Sequence, residues 1–298
     1  MSELASSLEG WAPEPVESTD RVGGWSVEAF AALLDQPSPL ITGRAELPPM
    51  WHWFGFLEHV PERELGADGH PAGGGFLPPI PHRRRMFAGA RWWQYRALPV
   101  EQPITCRSSV AGVEVKTGRS GEMAFVTVRN EFSVAGEPSV LEEQDIVYRG
   151  QPDPPAGTAA PARSAAPDEP VEGRPPFVHE LVLEPDAALL FRFSALTYNA
   201  HRIHYDQPYA TGVEGYPGLV VHGPLLALLA LELPRRHQPD QWVAEFRYRL
   251  RRPAFAGTPL RAWSAPAGAD GWQELATGVV GGPPSLTASA LLRPAGEG

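Results

Sequence analysis

The sequence predicts an α+β fold in which an antiparallel sheet wraps a helix, and it predicts that arrangement twice along one chain. Three observations carry this. The first is a composition break at 151–176, which holds eight Pro and six Ala and no Leu, Ile or aromatic residue. Such a segment cannot bury a core or hold a regular helix, and it reads as an extended linker between two comparable halves. The second is the alternation of Ala244, Phe246, Tyr248 and Leu250 with Glu245, Arg247 and Arg249, the period-two pattern of a half-buried strand. The third is the Leu/Ala-rich run that opens at Gly223-Pro224. Pro suits a first helical turn, and the run suits a buried helix but is too short to span a bilayer.

The remaining elements follow in order. In the first half, 27–34 and 51–60 are expected to be helices. Strands are expected at 104–115 and 123–134, joined by a turn around 117–121, with a further strand near 144–149. In the second half, 178–184 alternates as a strand. The helix at 223–233 follows, then the alternating strand at 244–250, and strands at 260–264, 272–280 and 285–292. One apolar helix followed by several antiparallel strands, occurring twice, suits a sheet laid over a helix. No direct repeat of residues accompanies the pattern. The organisation expected is a first repeat at 20–150, a linker at 151–176 and a second repeat at 177–298.

Bulk properties bound the partners. The 298 residues carry a net charge of -10, which argues against nucleic acid as a partner. The single cysteine, Cys106, excludes an intrachain disulfide and a cysteine-based zinc site, and it fits a reducing cytoplasm. The N-terminal stretch is acidic and lacks the basic and apolar regions of a signal peptide. We expect a soluble cytoplasmic protein without a membrane partner.

The residues that could do chemistry concentrate between Leu196 and Glu232. Asn199, His201, His204 and Asp206 fall within eight positions, and His222-Gly223-Pro224 opens the apolar helix. His204 is either a core histidine with a satisfied hydrogen bond or a general base; its polar neighbours and the nearby helix start favour the base. Asn199 is either a turn residue or an amide that orients a water or hydroxyl, and it cannot itself act as a base. Gly223 either permits a tight turn or offers an N–H at a helix N-terminus to a developing oxyanion. His201, His204 and Asp206, with His222, also have the spacing of a facial-triad iron site. No strand-borne Arg partner for a keto acid accompanies them, and Asp206 is more simply a cap before Pro208. Arg83, Arg84 and Arg85, and Arg247, Arg249, Arg251 and Arg252, are either solvated faces or a cradle for a phosphate-rich ligand. Trp51, Trp53, Phe54 and Phe56 are core packing or one wall of a pocket.

Two stretches carry a resemblance: Tyr198-Asn199-Ala200-His201-Arg202-Ile203-His204-Tyr205-Asp206 and Leu219-Val220-Val221-His222-Gly223-Pro224. They resemble the MaoC-like hot-dog hydratases and dehydratases, in the subgroup of the 3-hydroxyacyl-thioester dehydratases type 2 and mesaconyl-C4-CoA hydratases. Asp68-Gly69-His70-Pro71, Phe76-Leu77-Pro78-Pro79 and Arg85-Met86-Phe87-Ala88-Gly89 are similar to the first half of that subgroup. The resemblance implies a double hot-dog: two repeats, each a long helix wrapped by antiparallel strands, fused into one continuous sheet. It implies one active site per chain, with His204 as the catalytic base and Gly223 in the oxyanion hole. His222, Tyr198, Arg202 and Asp206 would contact substrate, and the first repeat would be non-catalytic and wall an acyl pocket. Asn199 stands where the broader family has Asp, and that departure leaves His204 as the group able to exchange a proton there.

The activity so implied is reversible hydration of a 2-enoyl thioester, or dehydration of a 3-hydroxyacyl thioester, with no metal or redox cofactor. The thioester would be of coenzyme A or an acyl carrier protein, and the chain a homodimer. The alternatives are a hot-dog thioesterase or an acyl-thioester-binding protein without turnover.

Overall fold

The computed structural model describes residues 3–40, 45–73, 76, 78–80, 83–118, 121–150 and 177–295. In chain order the first half gives α1 (Glu3–Ser7), β1 (Val16–Asp20), α2 (Gly24–Leu33), β2 (Arg83–Gln94), β3 (Ile104–Gly118), β4 (Gly121–Val134) and β5 (Glu137–Gly150). The second half gives β6 (His179–Leu183), α3 (Ala187–Leu196), α4 (Gln207–Gly212), α5 (Gly223–His237), β7 (Gln241–Leu250), β8 (Leu260–Ser264), β9 (Trp272–Val279) and β10 (Pro284–Pro294). The expected linker at 151–176 and the tip of the 117–121 turn lie outside the described residues.

The ten strands form one sheet in the order β1-β3-β4-β5-β2-β7-β10-β9-β8-β6, and every pairing is antiparallel. The seam between the halves is β2 against β7, running from Gly89↔Arg249 to Trp93↔Glu245. A β-bulge in β2 falls between Phe87 and Gly89. A Cβ on Gly89 would lie 2.2 Å from the Tyr248 carbonyl oxygen, so the two backbones meet this closely only because the residue has none. The result is the continuous sheet of a double hot-dog.

The α5 helix lies on the second half of that sheet, against strands β6 to β10. Leu225 through Pro234 are all buried, which explains a helix apolar all round. Its one buried acid, Glu232, is neutralised by Arg235 and Arg236 a turn later. The Thr277 hydroxyl donates to the Leu226 carbonyl at 2.9 Å, pinning the helix to β9.

The first half departs from the expectation of a second long helix. Among its described residues the longest helix, α2, has ten residues and packs on α3. The helix expected at 51–60 is a single 3-10 turn, Trp51–Phe54. Left-handed backbone at Met50 (φ 66°) and Phe56 (φ 55°) ends it on both sides. Its rings split between the two uses the sequence left open. Trp51 and Phe54 pack on Phe30 at ring-centroid distances of 4.9 and 4.7 Å, whereas Trp53 and Phe56 face a cavity. With no long helix to cover them, β3, β4 and β5 turn part of their inner face to that same cavity.

Candidate active site

The site is built on the loop between α3 and α4. Tyr198, at φ 47°, turns the chain out of α3, and the Asn199 N–H still donates to the Ser194 carbonyl at 2.9 Å. The Asn199 side-chain oxygen accepts the His201 N–H at 3.0 Å, an Asx turn. A 3-10 turn at Arg202–His204 follows, and Asp206 caps α4 by accepting the Tyr209 N–H at 3.1 Å. Asn199 is therefore both a turn residue and a cavity-lining amide. Its oxygen is occupied locally, which leaves the NH₂ as the end able to meet a substrate.

His204 is pinned from behind. Val220 donates its N–H to the Ile203 carbonyl at 2.9 Å, and its own carbonyl sits 2.7 Å from His204 Nδ1. A carbonyl can only accept, so the proton is on Nδ1 and the lone pair is on Nε2. The ring is 7% exposed. Burial pushes its pKa down to about 4, against the Val220 hydrogen bond, with the charge of His70 adding to the depression. His204 is thus a neutral imidazole at pH 7, ready to take a proton.

His222 stands behind His204 and does not line the cavity. Its ring stacks on His204 at 3.7 Å, and its Nε2 lies 2.8 Å from the Ser194 hydroxyl. Burial holds it well below the ordinary histidine range. The next residue, Gly223, does line the cavity and starts α5, where first-turn N–H groups have no partner within the helix. Any side chain there would run into Leu250, since a Cβ would lie 2.5 Å from its Cδ1.

The cavity has a volume of about 1780 Å³ and is lined from both halves. Asn199, His201, His204, Gly223 and the exposed Tyr198 face it, together with Asp68, His70, Phe87 and Tyr148 from the first half. Arg202 and Asp206 do not. The Arg202 guanidinium holds Asp206 Oδ2 at 2.7 Å, reaches the Ala67 carbonyl at 3.0 Å and lies 4.0 Å over the Tyr209 ring. These two residues brace the loop. Of the arginines, Arg85, Arg251 and Arg252 line the cavity, while Arg247 is paired with Glu245 at 2.7 Å. The side chains at 83 and 84 lie outside the described residues.

Sequence reasoning gave the Asp68-Gly69-His70 segment no chemical role. The structure sets it against the loop between α3 and α4. Asp68 Oδ2 is 3.1 Å from His70 Nδ1, and the His70 ring lies 4.0 Å from the His201 ring. Burial pushes the Asp68 carboxyl up, but the His70 hydrogen bonds and the charges of His70 and His201 outweigh it and hold the pKa at about 2. The signals available were an acid and an imidazole two residues apart, in a segment similar to the first half of the family.

The facial-triad set is not assembled. Asp206 is spent on Arg202, and the Nδ1 of His204 on Val220. Among the described residues the one gathering of three potential ligands is Asp68, His70 and His201, with atoms within 4.8 Å of one another. Its imidazoles meet ring on ring, at 39° between planes, whereas two imidazoles on one ion converge through their in-plane lone pairs.

The continuous sheet defines the fold, a double hot-dog, and the family and relatives that the chain matches define the class, a hydro-lyase. The sequence pattern of the hydroxyacyl-thioester dehydratase type 2 family matches residues 50–256, and the chain belongs to that family. It is 48% identical over 243 residues to the mesaconyl-C(4)-CoA hydratase of Chloroflexus aurantiacus, covering 80% of this chain and 82% of that protein. It is 25% identical over 267 residues to the mitochondrial hydroxyacyl-thioester dehydratase type 2 of Saccharomyces cerevisiae, covering 81% and 85%. Among solved structures, a MaoC-like dehydratase from Phytophthora capsici superposes with a TM-score of 0.68 at 13% identity, covering 99% of both chains. A Mycobacterium tuberculosis protein described as having a double hotdog fold superposes at 0.55 and 14% identity, covering 96% of this chain and 97% of that one.

Proposed function

We propose that the protein catalyses reversible hydration of a 2-enoyl thioester, equally the dehydration of a 3-hydroxyacyl thioester, with a mesaconyl-type acyl group as the first substrate to test. The observation that carries this is His204: a buried, neutral imidazole with its tautomer fixed, facing a cavity beside the N-terminus of α5. The thioester carbonyl accepts from the Gly223 N–H, which stabilises the enolate formed when the α-proton leaves. His204 Nε2 takes or returns that proton. The Asn199 NH₂ holds the water or the β-hydroxyl through an oxygen lone pair. No metal or redox cofactor enters this scheme.

In this reading the second half, 177–298, carries the catalytic loop and the oxyanion donor. The first half, 20–150, walls the acyl pocket with the inner face of β3 to β5. Tyr198 stands at the mouth, and Arg85, Arg251 and Arg252 take the phosphates of coenzyme A. His222, Arg202 and Asp206 act through His204 and the loop rather than by touching substrate. We take the working form as a cytoplasmic homodimer, consistent with its acidic charge and single reduced cysteine.

The test is a spectrophotometric assay with crotonyl-CoA and mesaconyl-CoA after exhaustive EDTA treatment. Loss of enoyl-thioester absorbance without release of thiol is the expected result. Release of free thiol would instead assign a thioesterase. Binding without either change would make the protein a carrier or sensor.

A further inference from the structure

The first-half wall of the cavity carries a polar band that the hydration scheme does not use. Along β4 the wall runs through Val128, Asn130 and Phe132, and along β5 through Glu142, Gln144 and Ile146. Ser108 of β3 pairs in register with Asn130, and Asn130 with Glu142. The polar side chains therefore form one row across three strands, with apolar residues on either side. In the second half α5 covers the sheet, and the Thr277 hydroxyl meets a carbonyl of that helix. No long helix covers the row among the described residues, and it faces the cavity instead.

The centre of the row is fixed. Glu142 is 1% exposed and meets three nitrogens. The Trp53 indole N–H donates to its Oε1 at 3.0 Å, the Gln144 NH₂ donates to the same oxygen at 3.1 Å, and His52 Nε2 lies 3.1 Å from Oε2. Burial pushes the Glu142 carboxyl up, but the hydrogen bonds and the charge of His52 outweigh it and hold it below the ordinary range. A buried carboxylate is tolerated only when bonded in this way, and the bonds also orient its neighbours. Gln144 spends its NH₂ on Glu142, which leaves its carbonyl as an acceptor. The Ser108 hydroxyl donates to Asn130 Oδ1 at 2.7 Å, which leaves the Asn130 NH₂ as a donor. Among the described residues nothing pairs with that carbonyl or that NH₂.

We propose that Asn130 and Gln144 bind a neutral hydrogen-bonding group, a hydroxyl, carried on the acyl chain beyond the β-carbon, and so select a polar acyl chain over a plain alkyl one. A donor and an acceptor on one band match a hydroxyl, which is both. An ionised carboxylate matches poorly. It can only accept, and it would lie against the charge of Glu142 and the carbonyl of Gln144. An alkyl chain laid over the band would strip water from the NH₂ and the carbonyl and put nothing in its place. The proposal rests on the hydro-lyase reading, because that reading makes this cavity an acyl pocket.

Binding tests it without turnover. Calorimetry on the full-length protein compares saturated acyl-CoAs of four, six, eight and ten carbons, each ending in a methyl, a hydroxyl or a carboxylate. At the length that reaches the band, the hydroxyl ligand is expected to bind about tenfold or more tightly than the alkyl one, and more tightly than the carboxylate. The double variant Asn130→Leu with Gln144→Met keeps the bulk and removes the hydrogen bonds. It is expected to bring the hydroxyl-to-alkyl ratio to about one, and each single variant should lower the ratio part of the way. Equal binding of hydroxyl and alkyl ligands at every length in the wild type would overturn the proposal, whether or not the variants fold. So would a variant that weakens both ligands alike, which is the mark of a structural row. Tighter binding of the carboxylate would overturn the choice of a neutral group.

The matching 2-enoyl-CoAs read the same preference as kcat/KM. Hydration of these substrates with no preference for the hydroxyl would remove the polar subsite and leave the hydro-lyase reading standing. A hydroxyl preference in binding with no hydration of any substrate would remove the hydro-lyase reading and leave the subsite.

Discussion

At the scale of the residue, His204 ties function to pH. Its pKa is lowered to about 4 in the fold, from 6.5 in an unfolded chain. The unfolded state therefore binds protons that the native state refuses between those values, and stability is lost as pH falls through that window. Above pH 6.5 the contribution is fully present. A shift of this size corresponds to about 3 kcal/mol. Urea unfolding of the wild type should show its midpoint dropping from pH 7 to pH 4.5, and His204→Gln should show a shallower drop. An identical pH dependence in both would mean that folding leaves the His204 pKa where it is in the unfolded chain. In the proposed reaction the same ring is the base, so His204→Ala should cost about 10²–10⁴-fold in turnover with the fold intact by circular dichroism. Asn199 separates its two uses by substitution. Asn199→Ala removes both the Asx turn and the NH₂ and should lower kcat strongly. Asn199→Asp keeps an oxygen for the His201 N–H but has no NH₂ to donate, so it should hold the loop and still lower kcat. Normal kinetics in the alanine variant would reduce Asn199 to a turn residue.

At the scale of the element, the seam between β2 and β7 is the most exacting contact in the sheet. Gly89→Ala would put a methyl group 2.2 Å from the Tyr248 carbonyl oxygen, and backbone cannot move aside as a side-chain tip can. A cost of about 2 kcal/mol or more is expected, visible as a fall in Tm of roughly 5 °C or more. An unchanged Tm would show that the seam yields. This strand also shows where the sequence was hard to read. The elements α5 and β7 were legible, because α5 is apolar without interruption and β7 alternates in residue type over 244–250. β2 was not. It opens on three arginines and then crosses from a half-exposed end to the buried seam at Ala90 and Trp92, so no single period describes it. Nor was α3, which exposes Phe191 to the solvent side of the cavity and keeps Leu190 and Phe193 in the core. The candidate site was legible because His204, Asn199 and Gly223 are close in sequence. Asp68 and His70 were not recognised as its neighbours, because only tertiary packing brings them to His201 from the other half of the chain.

At the scale of the whole molecule, the two halves form one working unit. Their cores are continuous: Phe30 and Trp51 of the first half pack with Phe193 of the second, Phe30 and Phe193 at 6.0 Å. The sheet is continuous through β2 and β7. A fragment of residues 177–298 keeps His204, Asn199, Gly223 and α5 but loses both of these supports. It would expose the hydrogen-bonding edge of β7 and the apolar faces of α3, an invitation to edge pairing and aggregation. It would also lose the β3 to β5 wall of the cavity and the Asp68–His70 segment that packs on the loop between α3 and α4. We expect the isolated fragment to be insoluble, or soluble and inactive. Co-expression with residues 1–176 should restore a soluble complex with measurable turnover, because the lost contacts are non-covalent. A soluble 177–298 fragment with full activity would show that the second half folds and works alone, and would remove the first half from both the pocket and the chemistry.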